Sequence, residues 1–195
     1  MALADMLEGA RPDMKAISAH LDSLTSSVRI AESRALSGRA QAKLFEAAQG
    51  YRPIGLAHFV PADAAPLSEV PHFGRNSLLA FTRFAKVFCR PDGDVKDELW
   101  GYNRNPLQLI ETVVGPGYYI AYPYSAPGEV LVDYLRVPPR KPRHWPPILS
   151  NSARLSKVVY NGTQDILRGV SMHVSIGRAS RNGKIMDNWF VLCRA

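Results

Sequence analysis

Residues 115–137, GPGYYIAYPYSAPGEVLVDYLRV, read as two strands joined by a Ser125-Ala126-Pro127-Gly128 turn, and they hold the densest run of aromatics in the chain. Gly115-Pro116-Gly117 supplies turn chemistry ahead of the first strand. Alternate residues of a strand share a face, so Tyr118, Ile120, Tyr122 and Tyr124 fall on one side, and Tyr119, Ala121 and Pro123 on the other. Pro123 has no N–H to give a ladder, which places an edge or a bulge at that end. In the second strand Val130, Val132 and Tyr134 oppose Leu131, Asp133, Leu135 and Val137. Both faces are apolar, so the strand needs cover on both sides. Asp133 is the exception, a carboxylate between leucines that must find donors or stay protonated.

Working outward, the next clear pattern lies near the C-terminus. Val170, Met172, Val174 and Ile176 alternate with Ser171, His173, Ser175 and Gly177, and Asn182-Gly183 is a two-residue hairpin signal. Closing the hairpin there sets Ile176 opposite Trp189, Val174 opposite Val191, Met172 opposite Cys193 and Arg178 opposite Asp187. On the other face His173 meets Leu192 and Ser175 meets Phe190.

Upstream, residues 12–49 predict helix. Ile17, Leu21, Leu24 and Val28 form one helical stripe, Pro12-Asp13 suits a first turn, and Gly38 divides the segment in two, with Ser37 capping the second helix. Such helices lie on a sheet or pair with a second copy of the chain. Residues 51–76, with four prolines, read as a long connection packed through Ile54, Leu56, Phe59 and Phe73. His58 and His72 on it suit a ligand or a general base, or simple packing with one hydrogen bond. From Asn76 the pattern predicts a short helix passing into a strand near Lys86, a turn at Pro91-Asp92-Gly93-Asp94, a returning strand from Glu98 to Tyr102, and Leu107 to Val114 leading into the aromatic stretch.

Residues 138–147, PPRKPRHWPP, exclude helix and central strand, because five of the ten are proline. The segment is an extended crossover displaying Arg140, Lys141, Arg143 and His144, with Trp145 either free to help grip a phosphate or anchoring it to the core. Asn151 to Tyr160 predicts a short helix or turn, and Asn161-Gly162 another turn.

The 195 residues suffice for one domain with an added helical segment. The net charge of +7 is uneven: residues 1–50 are neutral, 51–134 carry −2, and 135–195 carry +9, with eleven Lys/Arg against two Asp/Glu. That excess can favour nucleic acid or an anionic membrane surface, or merely solvate a sheet. No apolar run approaches the ~20 residues that span a bilayer. The N-terminus has an early acid and no apolar core, so a secretory signal is not expected, the location is expected to be cytoplasmic, and Cys89 and Cys193 are expected to be reduced and buried. No phosphate loop, zinc-spaced cysteines or nucleophile elbow occurs; no metal and no cofactor are expected.

Six strands with Gly/Pro/Asn turns after helices predict an α+β protein. Residues 1–50 form an N-terminal helical segment, and residues 51–195 a single domain whose curved antiparallel sheet makes a closed or half-open small β-barrel. The outline resembles lipid-carrying barrels in architecture, which does not fix function. Expected pocket residues are Tyr118, Tyr122, Tyr124, Asp133, His173 and Trp189, unless these only fill the core. The leading expectation is binding of a hydrophobic or amphipathic small molecule, its acidic end met by Arg136, Arg140, Arg143 or Arg168. An enzyme of isomerase or lyase type, with Asp133 or His173 as general base beside a tyrosine, is the alternative. A basic module for nucleic acid or membrane is the third, and a homo-oligomer through 12–49 fits all three.

Overall fold

The computed structural model describes residues 1–78, 82–104, 115–150 and 160–195. The chain begins with helices α1 (Leu3–Met6), α2 (Met14–Ser23), α3 (Ser26–Ala35) and α4 (Gly38–Ala47), then the short α5 (Leu56–Phe59). Eight strands follow: β1 (Val70–Asn76), β2 (Arg83–Cys89), β3 (Leu99–Arg104), β4 (Tyr118–Pro123), β5 (Val130–Asp133), β6 (Thr163–Gly169), β7 (Val174–Arg181) and β8 (Lys184–Arg194). Each pairs antiparallel with the next, and β8 returns to β1, so the sheet is a closed barrel. The α+β expectation and the closed form of the barrel are therefore met.

Local chemistry sets two of the helix starts. Asp13 caps α2, accepting from the N–H groups of Lys15 and Ala16, and Ser37 caps α4, accepting from Ala40. The stripe Ile17-Leu21-Leu24-Val28 does not run through one helix. It breaks at Leu24-Thr25, leaving three helices where two were expected, and Val28 is exposed. Arg29 makes the corner. Its buried guanidinium donates to the carbonyls of Leu21 and Leu24 at 2.9 and 2.8 Å, which satisfies the end of α2.

Strand assignment needs more correction. Residues 51–76 are not one connection but contain α5 and β1. Residues 83–89 are strand from the outset; the helical reading of Leu79 to Phe81 lies outside the described residues, as do Leu107–Val114 and most of Asn151–Tyr160. Sequence periodicity missed β6 altogether. β5 ends at Asp133, and Leu135 and Val137 are exposed beyond it. The Asn182-Gly183 turn forms with φ of 50° and 76°, both positive as a type I′ turn requires. Beyond it the expected register holds only for Arg181↔Lys184 and Ser180↔Ile185. A bulge between Arg178 and Ser180 then moves the pairing by two residues, so Ile176 faces Val191, Val174 faces Cys193 and Arg178 faces Trp189. A shift of two keeps each residue on its face, so the apolar agreement survives. β7 starts at Val174; Met172 and His173 lie in the preceding turn, and His173 does not oppose Leu192.

The barrel has two faces and two covers. Val174, Ile176, Val191 and Cys193 point outward and pack under α1–α4 with Ile17, Leu21 and Leu44. The helices thus lie on the sheet. Val87, Cys89, Trp100, Tyr102, Tyr118 and Ile120 also point outward, and Trp145 covers them. The proline-rich segment is a strap: the Trp145 ring lies 4.8 Å from that of Tyr102, and its Nε1–H donates to Glu69 at 3.0 Å. Inside, Phe88, Leu99, Tyr119, Val132, Leu167 and Leu192 fill one half, and Phe59 of α5 closes that end. His72 Nε2 bonds the Phe59 carbonyl at 2.9 Å, and Arg194 donates to the His58 carbonyl at 3.1 Å, pinning the plug.

Candidate functional site

The barrel interior is not uniformly apolar. Alternation along β2 points Phe84, Lys86 and Phe88 inward, and along β6 it points Asp165 and Leu167 inward. Lys86 and Asp165 meet at 3.0 Å with side chains 2% and 6% exposed. Asn103 Oδ1 lies 3.4 Å from the Lys86 Nζ, and the Tyr134 hydroxyl is hydrogen-bonded to the same ammonium. Asn103 Nδ2 donates to the Tyr134 hydroxyl at 2.9 Å and to the Gly117 carbonyl at 3.3 Å. Three aromatic rings enclose the amine, with centroids 4.7 Å (Tyr134) and 5.0 Å (Tyr119, Phe190) from Nζ. Glycines make the room: at Gly101 and Gly177 a Cβ would collide with the rings of Tyr119 and Phe190.

Burial pushes the Lys86 amine down in pKa, against the attraction of Asp165, and pushes the Asp165 carboxyl up, against Lys86. Desolvation thus works against both charges, and each group is held by the other. Burial also raises the Tyr134 and Tyr119 hydroxyls well above the usual phenol range, so they remain donors. On the side away from the Phe59 plug, Tyr160 stacks on Tyr134 at 5.2 Å, and it and Phe84 are only half-buried. That is the end where β1, β3, β5 and β7 finish and β2, β4, β6 and β8 begin. A lysine, an acid, an amide and a phenol converging in an aromatic box can hold a polar end group and exchange a proton with it.

The residues singled out from sequence sit elsewhere. Tyr118 and Tyr122 share their face, as expected, but that face is the outer one. Tyr118 packs beneath Trp145, and Tyr122 donates to Asp133 Oδ2 at 3.0 Å. Asp133 finds its donors there, the second being the Leu135 N–H at 2.9 Å. Burial, then the Asp133 carboxylate, raises the Tyr122 hydroxyl. Tyr124 lies in the β4–β5 turn. Trp189 packs outside the barrel under α4, with Arg178 over its ring at 4.9 Å. His173 is hydrogen-bonded to Arg194 at 3.4 Å in the β6–β7 turn. None of these lines the interior: the outward faces of β2–β4 and of β7–β8 are apolar because strap and helices cover them.

The basic residues are scattered. Arg136 pairs with Glu98 at 3.0 Å, Arg140 with Asp92 at 2.7 Å, Arg168 with Glu129 at 2.7 Å and Arg178 with Asp187 at 3.0 Å. Arg168 also lies 4.0 Å from the Phe45 ring centroid, docking α4 on β6. Among the described residues no group of three or more His, Cys, Asp and Glu is placed to hold a metal ion, and no helix is long and apolar enough to cross a membrane. Compared with the patterns of known families, with curated proteins and with solved structures, the chain matches none. The signals for the interior site were a lone lysine in the apolar run FAKVFC and a lone aspartate in TQDILRG.

Proposed function

We propose that the protein binds an amphipathic small molecule in the half of the barrel away from the Phe59 plug, with the polar end of the molecule at Lys86. The observation that carries this reading is the charged cluster of Lys86, Asp165, Asn103 and Tyr134 inside an aromatic box. A barrel that needed only a packed core would be as stable or more so with apolar residues there, because desolvating a carboxylate and an ammonium costs several kcal/mol each. Half-buried Phe84 and Tyr160 offer stacking surface for the apolar part. Lys86 suits an acidic or carbonyl end, and the Asn103 amide and the Tyr134 hydroxyl can hydrogen-bond the same group.

Native mass spectrometry of protein purified from its own host, followed by denaturing extraction, tests the reading. A stoichiometric small molecule is expected from the wild type and a reduced yield from Phe84→Ala, which removes stacking surface without unpairing a charge. A wild-type protein that carries nothing, and takes up no fluorescent fatty acid or aromatic acid when titrated, would reject it. One observation keeps the enzyme reading as a second proposal: Tyr122 and Asp133 stand at hydrogen-bond distance on the outer wall. Asp133→Asn separates the two, since it should leave ligand uptake intact and abolish general-base turnover.

A further inference from the structure

Three arginines meet on the outer wall without a counter-charge. Arg75 and Arg83 are direct partners across the β1–β2 ladder. Their neighbours Gly74 and Phe84 point inward, so both arginine side chains point outward from Cβ atoms about 5 Å apart. Arg34, in the last turn of α3, lays its guanidinium over the same ladder. Its Nε–H and Nη2–H donate to the carbonyls of Gly74 and Phe84 at 3.2 and 3.0 Å, and its carbon lies 5.2 Å from the Phe73 ring centroid. Arg75 Nη1–H then donates to the Arg34 carbonyl at 2.9 Å, closing the group. No carboxylate pairs with any of the three among the described residues, and Arg83 makes no hydrogen bond there. Lys86, Arg136, Arg140, Arg168 and Arg178 each pair with an acid, and Arg29 and Arg194 are taken up by carbonyls, whereas Arg83 has neither kind of partner among the described residues.

Like charges set directly opposite each other on a ladder destabilise it. Fixing a third guanidinium beside them by a fork of backbone hydrogen bonds adds to the repulsion, and it holds that guanidinium in place without neutralising it. Guanidinium forks match the oxygens of a phosphate better than any other side chain does. We propose that Arg34, Arg75 and Arg83 form a phosphate-binding site on the outer wall, for a phosphomonoester carried either by a soluble molecule or by a lipid headgroup. The site is separate from the interior pocket and stands whether or not that pocket takes a ligand. Exposed Leu78, 48% accessible at the start of the β1–β2 connection, lies just beyond Arg75 and would suit the lipid source.

Inorganic phosphate is the first probe, titrated by calorimetry and by thermal unfolding against sodium chloride at matched ionic strength. Arg83→Gln is the variant, because Arg83 has no structural contact to lose. The expected result is saturable phosphate binding to the wild type, at least about tenfold weaker in Arg83→Gln, in line with the loss of charge-assisted hydrogen bonds. Lys184→Gln, at the tip of a different hairpin, should bind as the wild type does. Without phosphate and at low salt, Arg83→Gln should melt at or above the wild-type temperature. Phosphate no better than chloride, or an equal loss in Lys184→Gln, would overturn the site. Sedimentation with phosphatidylcholine vesicles, with and without phosphatidic acid, then assigns the source. Arg83-dependent capture by the acidic vesicles indicates a lipid headgroup, and phosphate binding without capture indicates a soluble phosphomonoester; either supports the site.

Discussion

Lys86 and Asp165 show how one residue can govern a barrel. Each is buried, and each is the other's compensation. Replacing Lys86 alone with Met leaves a carboxylate in an aromatic box, and the expected loss is about 3–5 kcal/mol in urea unfolding. Lys86→Met combined with Asp165→Leu should recover most of that, and a double variant no better than the single would mean that the pair is not coupled. His72 governs the acid limb. Its ring is fully buried, with Nε2 on the Phe59 carbonyl and Nδ1 unpartnered. Burial drives its pKa down to about 4, against the pull of that hydrogen bond, and Arg194 and His173 nearby push the same way as burial. His58 on the plug is driven to about 3 by burial and by His72. The unfolded chain takes up protons on these rings near pH 6.5 while the folded chain refuses them, so stability is complete above 6.5 and falls as pH drops towards 4. The His72 share is about 1.4 kcal/mol per pH unit in that window. Denaturant midpoints measured from pH 7 to 4 should show the slope, and His72→Gln should reduce it by about half, His58 supplying the rest.

Elements were legible where local chemistry decides and illegible where burial on both sides erases alternation. The Ser37 cap and the Asn182-Gly183 turn act within a few residues, and both form as the sequence implies, while Asp13, expected in a first turn, caps α2 from outside it. The bulge at Arg178–Ser180 depends on partners far along the chain, and no local pattern announces it. In β6 the inward residues are Thr163, Asp165 and Leu167 and the outward ones Gln164, Ile166 and Arg168, so neither face reads as core. The interior glycines are part of the same problem, since a glycine in a strand signals weakness until a ring is seen lying against it. Gly177→Ala places a methyl group in the space of the Phe190 ring, and Gly101→Ala in that of Tyr119. Each should cost about 1–3 kcal/mol in thermal or urea unfolding, as overpacked cores do. A Gly177→Ala protein as stable as the wild type would mean that Phe190 turns aside without penalty.

At the scale of the whole molecule, the sequence conveyed the class of object and inverted its inside. Antiparallel strands after helices, a curved sheet and two reduced cysteines could all be inferred from it. Tyr118, Tyr122 and Trp189 were expected inside because apolar alternation was taken to mark the interior, and they lie on outer faces. In this barrel apolar faces lie outside, under two covers, as well as inside, and the buried Lys86–Asp165 pair sits among the interior ones. A sheet wrapped by helices on β7, β8 and β1 and by the strap on β2–β4 has three apolar zones, and one strand's pattern cannot say which zone it serves.

The two cysteines turn that arrangement into an instrument. Cys193 lies beneath the helices and Cys89 beneath the strap; burial raises their thiols to about 11 and about 12, and both are inert while covered. A thiol reagent therefore reads the lifting of each cover as a separate clock. The helical cover shares a large apolar core with the barrel, whereas the strap is held by Trp145 and a few polar contacts, Trp145 and His144 to Glu69, Arg140 to Asp92 and the Tyr118 hydroxyl to the Pro146 carbonyl. Cys89 should be labelled faster than Cys193 under native conditions, and Trp145→Ala should accelerate Cys89 alone. Equal rates at both sites would mean that helices and strap leave the barrel in a single event.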